Sequence, residues 1–214
     1  SRSRRRGAPA GGLRFWPPPA GLGLSVLALG VIFAAHLAHG AIRVEAALAA
    51  TIAACLLFLG CLAHPGLRAG LLRVRGLAWP SLLFALTLLA GLLSLTPFGP
   101  GGPHPVWDYV GQGPGSTTID PSATLVELIK LSGLAAIFMV GVTTGASDER
   151  AKTAINLLII AAVIFGFWAF FGFATYIVFQ TQRGRLEGTL MSPNPAGTFF
   201  AALVVVTLGP LMRN

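Results

Sequence analysis

The chain has 214 residues, of which 54% are hydrophobic and only 10% charged. Too few polar side chains are present to cover a soluble domain of this size, so an ordinary soluble protein is excluded. The formal net charge of +8 is spread over short loops and one tail, which argues against a nucleic-acid-binding domain and favours a role in setting membrane orientation.

Long apolar runs predict an all-α fold, a polytopic helical transmembrane bundle of about six spans with a cytoplasmic N-terminus. Residues 1–19 form a basic cytoplasmic tail that ends in three prolines, and residues 20–211 form the transmembrane domain. The runs are close to the roughly 20 residues that cross a bilayer. No processing site follows the first run, so we expect it to serve as its own membrane signal. The predicted spans are 20–41, 44–62, 77–95, 121–143, 154–179 and 195–211.

A loop at residues 96–120 is rich in glycine and proline and contains no basic residue. It is predicted to be periplasmic and either ordered or re-entrant, with Trp107 and Tyr109 suited to the membrane interface. It ends in Asp120 and Pro121, a helix N-cap followed by proline at the first helical position. The same pattern, an N-cap residue followed by proline, occurs at Asn194 and Pro195, where the last span is predicted to begin.

The distribution of basic residues predicts the orientation, because lysine and arginine accumulate in cytoplasmic loops. Three arginines would lie on the outer side, Arg43, Arg183 and Arg185, and Lys130 falls within a span. Arg183 and Arg185 therefore either reach lipid phosphates at the outer interface or have a function there. The residues expected on the cytoplasmic side are Arg2, Arg4, Arg5, Arg6, Arg14, Arg68, Arg73, Arg75, Arg150, Lys152 and Arg213.

A polar, glycine-rich segment around Arg185 lies between the last two predicted spans. It places a guanidinium group beside the start of a helix, whose first N–H groups have no partner within the helix. Together these groups would bind an anion such as phosphate at the membrane surface. The spacing is Arg185-x-x-Gly188-Thr189-x-x-x-x-Asn194-x-x-Gly197-x-x-Phe200.

This segment resembles the Arg-x-x-Gly-Thr-Phe-x-x-x-Asn-x-x-Ala pattern of the O-antigen ligase and polymerase superfamily, membrane glycosyltransferases of bacterial envelope polysaccharides. Two further passages, His104 to Trp107 and Thr118 to Thr124, look like the periplasmic loop and the following helix start of that family. The resemblance covers about residues 95–211.

The resemblance implies transfer of a glycan from a polyprenyl diphosphate to a sugar hydroxyl on a lipid acceptor, at the periplasmic face of the bacterial inner membrane. No cofactor, metal or nucleotide is implied. Arg185 would hold the diphosphate, Asn194 would cap the helix, and Gly188 and Gly197 would allow close backbone approach. The implied catalytic residues are Arg185 and Glu127, and the implied substrate-binding residues are Arg183, Arg185, Gly188, Asn194, Gly197 and His104.

Members of the family generally carry about twice as many spans, with a large periplasmic loop and a histidine in the second half. On this resemblance the chain would correspond to the first half and would by itself be an incomplete enzyme: a fragment of a longer protein, a degenerate relative, or half of a pair completed by another polypeptide. A different class of function is therefore also open, a non-catalytic transmembrane scaffold subunit within a larger respiratory or photosynthetic complex.

For several other pairs of residues the sequence allows a structural or a functional interpretation. Glu127 and Lys130 are three residues apart and predict a structural ion pair, or Glu127 faces a polar cavity near Arg185 and accepts the proton of the acceptor hydroxyl. His36 and His39 share one helix face and predict either packing or ligation of a haem, chlorin or metal. Cys55 and Cys61, the two cysteines, are predicted to pack rather than form a disulfide.

Overall fold

A computed structural model describes residues 20–38, 43–111, 115–178 and 193–211. Within these ranges the regular secondary structure is helical. The helices are α1 (Ala20–Leu37), α2 (Val44–Ala63), α3 (Pro65–Arg73), α4 (Ala78–Ser94), α5 (Val106–Val110), α6 (Pro121–Gly145), α7 (Asp148–Val178) and α8 (Pro193–Leu211).

Three of these helices, α2, α6 and α7, are long and apolar enough to cross a membrane. Helices α3 and α4 pass the same test only together and are bent by 99° where they meet, so the number rises to four if that pair is one span. Shorter apolar helical segments occupy Leu22–Leu37 and Gly197–Val206. The described chain is thus an all-helical membrane protein, and the six-span arrangement stays a prediction.

The outward faces of the helices are apolar, as expected for contact with lipid. Leu86 on α4 is 51% exposed, and Ile164 and Phe171 on α7 are 64% and 70% exposed. The buried positions are instead dominated by small side chains such as Ala47, Ala54, Ala136, Ala162 and Ala169. Small residues let helix backbones approach closely, which is how helices associate where lipid removes the hydrophobic driving force.

The centre of the bundle is the pair α2 and α6. Thr51 on α2 lies against Gly133 on α6, where a Cβ atom would come within 2.6 Å of the Thr51 hydroxyl oxygen. Further along both helices Cys61 packs with Val140, which confirms that Cys61 is a packing residue. The second contact lies C-terminal to the first on both helices, so α2 and α6 run parallel.

Helices α1 and α7 pack on this pair. Phe33 near the end of α1 contacts Phe165 of α7 with ring centroids 5.9 Å apart, and Ser25 near the start of α1 lines a small cavity with Ala151, close to the start of α7. The two helices are therefore parallel to each other. The end of the bundle where α1 ends and α2 and α6 begin is called the Pro121 end, and the opposite end, where α7 begins, the Arg150 end.

Two helix starts at the Pro121 and Arg150 ends have local causes. The Asp120 carboxylate accepts a hydrogen bond from the Ala123 N–H at 2.9 Å, which confirms the predicted N-cap of α6. Helix α7 begins at Asp148, earlier than the predicted span at residue 154, since Asp148 and Glu149 are favourable in a first turn near the positive end of the helix dipole.

Helix α3 lies between the predicted spans 44–62 and 77–95, where the sequence analysis places no helix. Its first residue, Pro65, is suited to the first helical position, and Leu67 is buried against Cys61 and Val140. At the Arg150 end, Arg150 connects α6 with α3. Its guanidinium group donates to the Thr143 carbonyl oxygen at 3.1 Å and lies against Gly70 of α3.

The loop between α4 and α6 is ordered by hydrogen bonds at its base and by a tryptophan at its centre. Thr117 N–H donates to the Thr96 carbonyl oxygen at 3.0 Å. Trp107 Nε1–H donates to the Ser116 carbonyl oxygen at 2.7 Å. Tyr109 is 91% exposed, as an interfacial residue would be, but Trp107 is turned into the loop and stabilises it instead.

Candidate functional site

The predicted anion site is only partly within the described residues. Arg183, Arg185 and Gly188 lie outside them. Asn194 falls in the first turn of α8, which begins at Pro193, but its side chain is likewise outside the description. Gly197 is exposed, and among the described residues no other element has an atom within 4 Å of where its Cβ would stand.

The start of α8 is anchored to the rest of the bundle through Phe199. This ring stacks on His36 with centroids 4.0 Å apart and an interplanar angle of 31°. It also meets Phe165 of α7 edge to face at 5.4 Å. Since His36 lies in the last turn of α1, these contacts place Phe199 in the half of the bundle nearer the Pro121 end. The first residue of α8 is six positions earlier, about 9 Å along the helix.

Below this contact lies a cleft of about 510 Å³, a size typical of ligand pockets. Its walls come from α1, α2 and α6, with Phe199 of α8 closing one side. Most of the lining side chains are apolar or small, and the polar exceptions are His36, Thr51 and Lys130. The full lining is Val31, Ile32, Ala35, His36, Ala47, Ala50, Thr51, Ala54, Lys130, Gly133, Leu134, Ile137 and Phe199.

Lys130 brings a positive charge into this cleft. Its Nζ donates to Glu127 Oε1 at 2.6 Å, and the two side chains are 28% and 69% exposed. This confirms the ion pair predicted from their spacing. Lys130 lines the cleft, whereas Glu127 is not among its lining residues. An ammonium group has three donors, so two remain for other acceptors.

His36 has a defined hydrogen-bonding arrangement. Its Nδ1 lies 2.8 Å from the Ile32 carbonyl oxygen, and a carbonyl only accepts, so Nδ1 carries the proton. In the neutral ring Nε2 is then an acceptor. The packing of the ring on Phe199 agrees with the packing interpretation. In the part of the chain described, no group of three or more His, Cys, Asp or Glu side chains could hold a metal ion, and His39 is outside that part.

His104 has the opposite arrangement. The Val106 N–H donates to His104 Nδ1 at 3.2 Å, and the His104 backbone N–H donates to the Ser116 carbonyl oxygen at 3.1 Å. In the neutral ring the proton is therefore on Nε2, which makes that atom a donor. The half-buried side chain belongs to the loop between α4 and α6 and does not line the cleft.

Sequence reasoning missed the cleft itself and the part that Phe199 plays in it. One signal was present: Lys130, Gly133 and Leu134 are spaced at three and four residues and so share a face of α6. The second wall could not be foreseen, because it requires knowing that α2 lies beside α6 and that α8 returns to α1.

Comparison with known proteins identifies no relative of this chain. Compared with protein-family models, with curated proteins and with solved structures, the chain gives no match. The resemblance to O-antigen ligases therefore rests on the residues of the chain's own motifs.

Proposed function

We propose that the chain is an O-antigen ligase-like membrane glycosyltransferase, or its N-terminal half, in the bacterial inner membrane. Its donor would be a glycan carried on polyprenyl diphosphate, and its acceptor a sugar hydroxyl on a second lipid. The reaction would take place at the periplasmic face, which would be the Pro121 end of the bundle.

The observation that carries this proposal is the position of α8 relative to α6. The helix start that bears Asn194 and Gly197 is held near the Pro121 end by the stacking of Phe199 on His36. Lys130 lines the same cleft as Phe199 and is paired with Glu127. The first turn of α8, which would supply N–H groups to a diphosphate, and Glu127, which would accept a proton, therefore belong to the same half of the bundle.

The proposed reaction needs an anion site more than it needs any other catalytic group. The acceptor hydroxyl oxygen would attack the anomeric carbon, and the bond from that carbon to the phosphate oxygen would break. The diphosphate would leave with the electron pair, stabilised by Arg185 and the first N–H groups of α8. Glu127 would accept the hydroxyl proton. Arg183 and the Nε2–H of His104 would donate hydrogen bonds to the substrate.

The proposal includes six spans and a cytoplasmic N-terminus. It is supported by the uneven distribution of charge between the two ends of the described bundle. The Arg150 end carries five basic residues, Arg68, Arg73, Arg75, Arg150 and Lys152, whereas Arg43 and Lys130 belong to the Pro121 half. Basic residues accumulate on the cytoplasmic side, so α1, which begins at the Arg150 end, would start in the cytoplasm.

The test is glycan transfer in cells that lack their own ligase and express the full protein. Arg185→Ala should reduce transfer by at least about a hundredfold, as expected for removal of a group that stabilises developing negative charge. Arg43→Ala is the matched control, because Arg43 is an exposed arginine at the same end and should leave transfer unchanged. Glycan on the acceptor lipid is measured by gel electrophoresis, with membrane levels of each variant checked in parallel.

Undiminished transfer by Arg185→Ala at equal membrane levels would reject the role of Arg185. No transfer by the unsubstituted protein, together with its purification as a stoichiometric part of a larger complex, would reject the enzyme and favour the scaffold.

A further inference from the structure

The cleft beneath Phe199 begins in the half of the bundle nearer the Pro121 end and extends toward its middle. Lys130 is nine residues from the start of α6, and Ile137, which also lines the cleft, is sixteen. At 1.5 Å per residue these positions are about 13 Å and about 24 Å along the helix. In a bilayer whose hydrocarbon core is about 30 Å thick, a cleft of this extent would reach the level of the lipid chains.

The walls are shaped to accept a narrow apolar group. Ala35 and Ala50 are small residues of the wall, at positions where larger side chains would narrow the cleft. The His36 ring is fixed on one side by Ile32 and on the other by Phe199. A hydrocarbon chain would restore the contacts that such a cleft lacks.

The ammonium group of Lys130 in the wall of the cleft favours a lipid with an anionic headgroup. An ammonium group within a span is costly and is stabilised by an anion. Lys130 reaches one turn toward the Pro121 end to Glu127, as long basic side chains do near helix ends. The ammonium group has two further donors, which would be available to the phosphate of a lipid whose chain occupies the cleft.

We propose that the cleft is a binding site for an anionic phospholipid, with one hydrocarbon chain between α1, α2 and α6 and the phosphate bound by Lys130. The site does not depend on the proposed glycan transfer, because Phe199 contributes only a wall and the described lining includes neither Arg185 nor Asn194 nor Gly197. Glu127 competes with the lipid phosphate for Lys130 and repels it, so this carboxylate limits the affinity of the site.

The experiment measures retention of phosphatidylglycerol and phosphatidylcholine by the purified chain, using native mass spectrometry after reconstitution in an equimolar mixture. We expect selective retention of phosphatidylglycerol. Lys130→Gln should weaken it about tenfold, as expected for loss of a charge-assisted hydrogen bond. Lys152→Gln is the matched control, because Lys152 is exposed at the Arg150 end, and it should change nothing.

Two further variants separate this site from a merely structural ion pair. Glu127→Gln should raise phosphatidylglycerol retention severalfold, because the phosphate loses its competitor. The same variant should abolish glycan transfer if Glu127 is the base, so failure of one proposal is distinguishable from failure of the other. Ala50→Leu, or Ala35→Leu if the first does not fold, should fill the cleft and reduce retention with all charges intact.

Equal retention of the two lipids, or unchanged retention by Lys130→Gln, would overturn the proposal. So would a decrease on Glu127→Gln, which would mean that the ion pair only supports the fold. Retention of a polyprenyl phosphate but not of phosphatidylglycerol would assign the cleft to a different lipid and would also overturn it.

Discussion

The stability that Asp120 contributes at the start of α6 depends on pH. Its carboxylate accepts hydrogen bonds from the Ala123 N–H and the Ser122 hydroxyl at 2.9 and 2.6 Å, and these bonds lower its pKa from the ordinary value. A carboxyl group with a lowered folded-state pKa stabilises the fold above its unfolded pKa of about 3.9, and that contribution is lost as pH falls through the folded pKa.

We therefore expect Asp120→Ala to lower the Tm at neutral pH, with Asp120→Asn in between because its amide oxygen still accepts. The difference between Asp120→Ala and the unsubstituted chain should shrink as pH falls through the folded pKa, toward the difference between Asp120→Ala and Asp120→Asn, because the protonated carboxyl group still accepts through its carbonyl oxygen. Thermal unfolding in detergent at a series of pH values measures this. A difference that is the same at every pH would show that the charge of the cap contributes nothing.

Side-chain contacts between residues close in sequence were predictable, and contacts with partners across a loop were not. The Asp120 cap and the Glu127 to Lys130 pair follow from spacing alone, and both are present. The orientation of Trp107 did not follow, because its partner Ser116 is nine residues away across a loop. Glycine at position 115 lies directly under that indole, where a Cβ would collide with it.

Among the elements, the pair α2 and α6 depends on one close approach. A Cβ at Gly133 would stand 2.6 and 2.9 Å from the Thr51 Oγ1 and Cα atoms, so any larger residue must separate the helices. Gly141, two turns further along α6, has no atom within 4 Å of its Cβ position. The same substitution should therefore have opposite consequences at these two sites.

Gly133→Ala should destabilise the protein by about 1–3 kcal/mol, the usual cost of overpacking. Gly141→Ala should leave stability unchanged or raise it, since alanine is the better helix former. The midpoint of denaturant-induced unfolding in mixed micelles compares the two. Equal midpoints for both variants would contradict the close contact with Thr51.

The apolar runs of α2, α4, α6 and α7 could be located from hydropathy, because lipid requires long apolar helices. Helix α3 could not, since its nine residues include two arginines, two glycines and a proline, and only Leu67 is buried. Its helical state comes from that tertiary contact. Helix α7 begins at Asp148, before the predicted span at residue 154, because its acidic first turn lies outside the apolar run from which the span was located.

At the scale of the whole molecule, the two ends of the bundle differ in charge and in structure. The Arg150 end combines most of the described basic residues with α3, whose Arg68 and Arg73 are exposed. The Pro121 end carries the ordered loop with the exposed Tyr109 and Phe98. Basic residues accumulate on the cytoplasmic side, so we expect the Arg150 end to face the cytoplasm and the cleft and the proposed anion site to lie toward the cell exterior.

Cysteine labelling of intact cells tests that orientation. Tyr109→Cys, on the exposed part of the loop, should react with a membrane-impermeant maleimide added from outside. Arg75→Cys, exposed just after α3, should react only once the membrane is permeabilised. The unsubstituted chain is the control, because Cys61 is buried and Cys55 half-buried within α2. The reverse pattern would place Lys130 and the start of α8 on the cytoplasmic side, where a periplasmic glycan donor could not reach them.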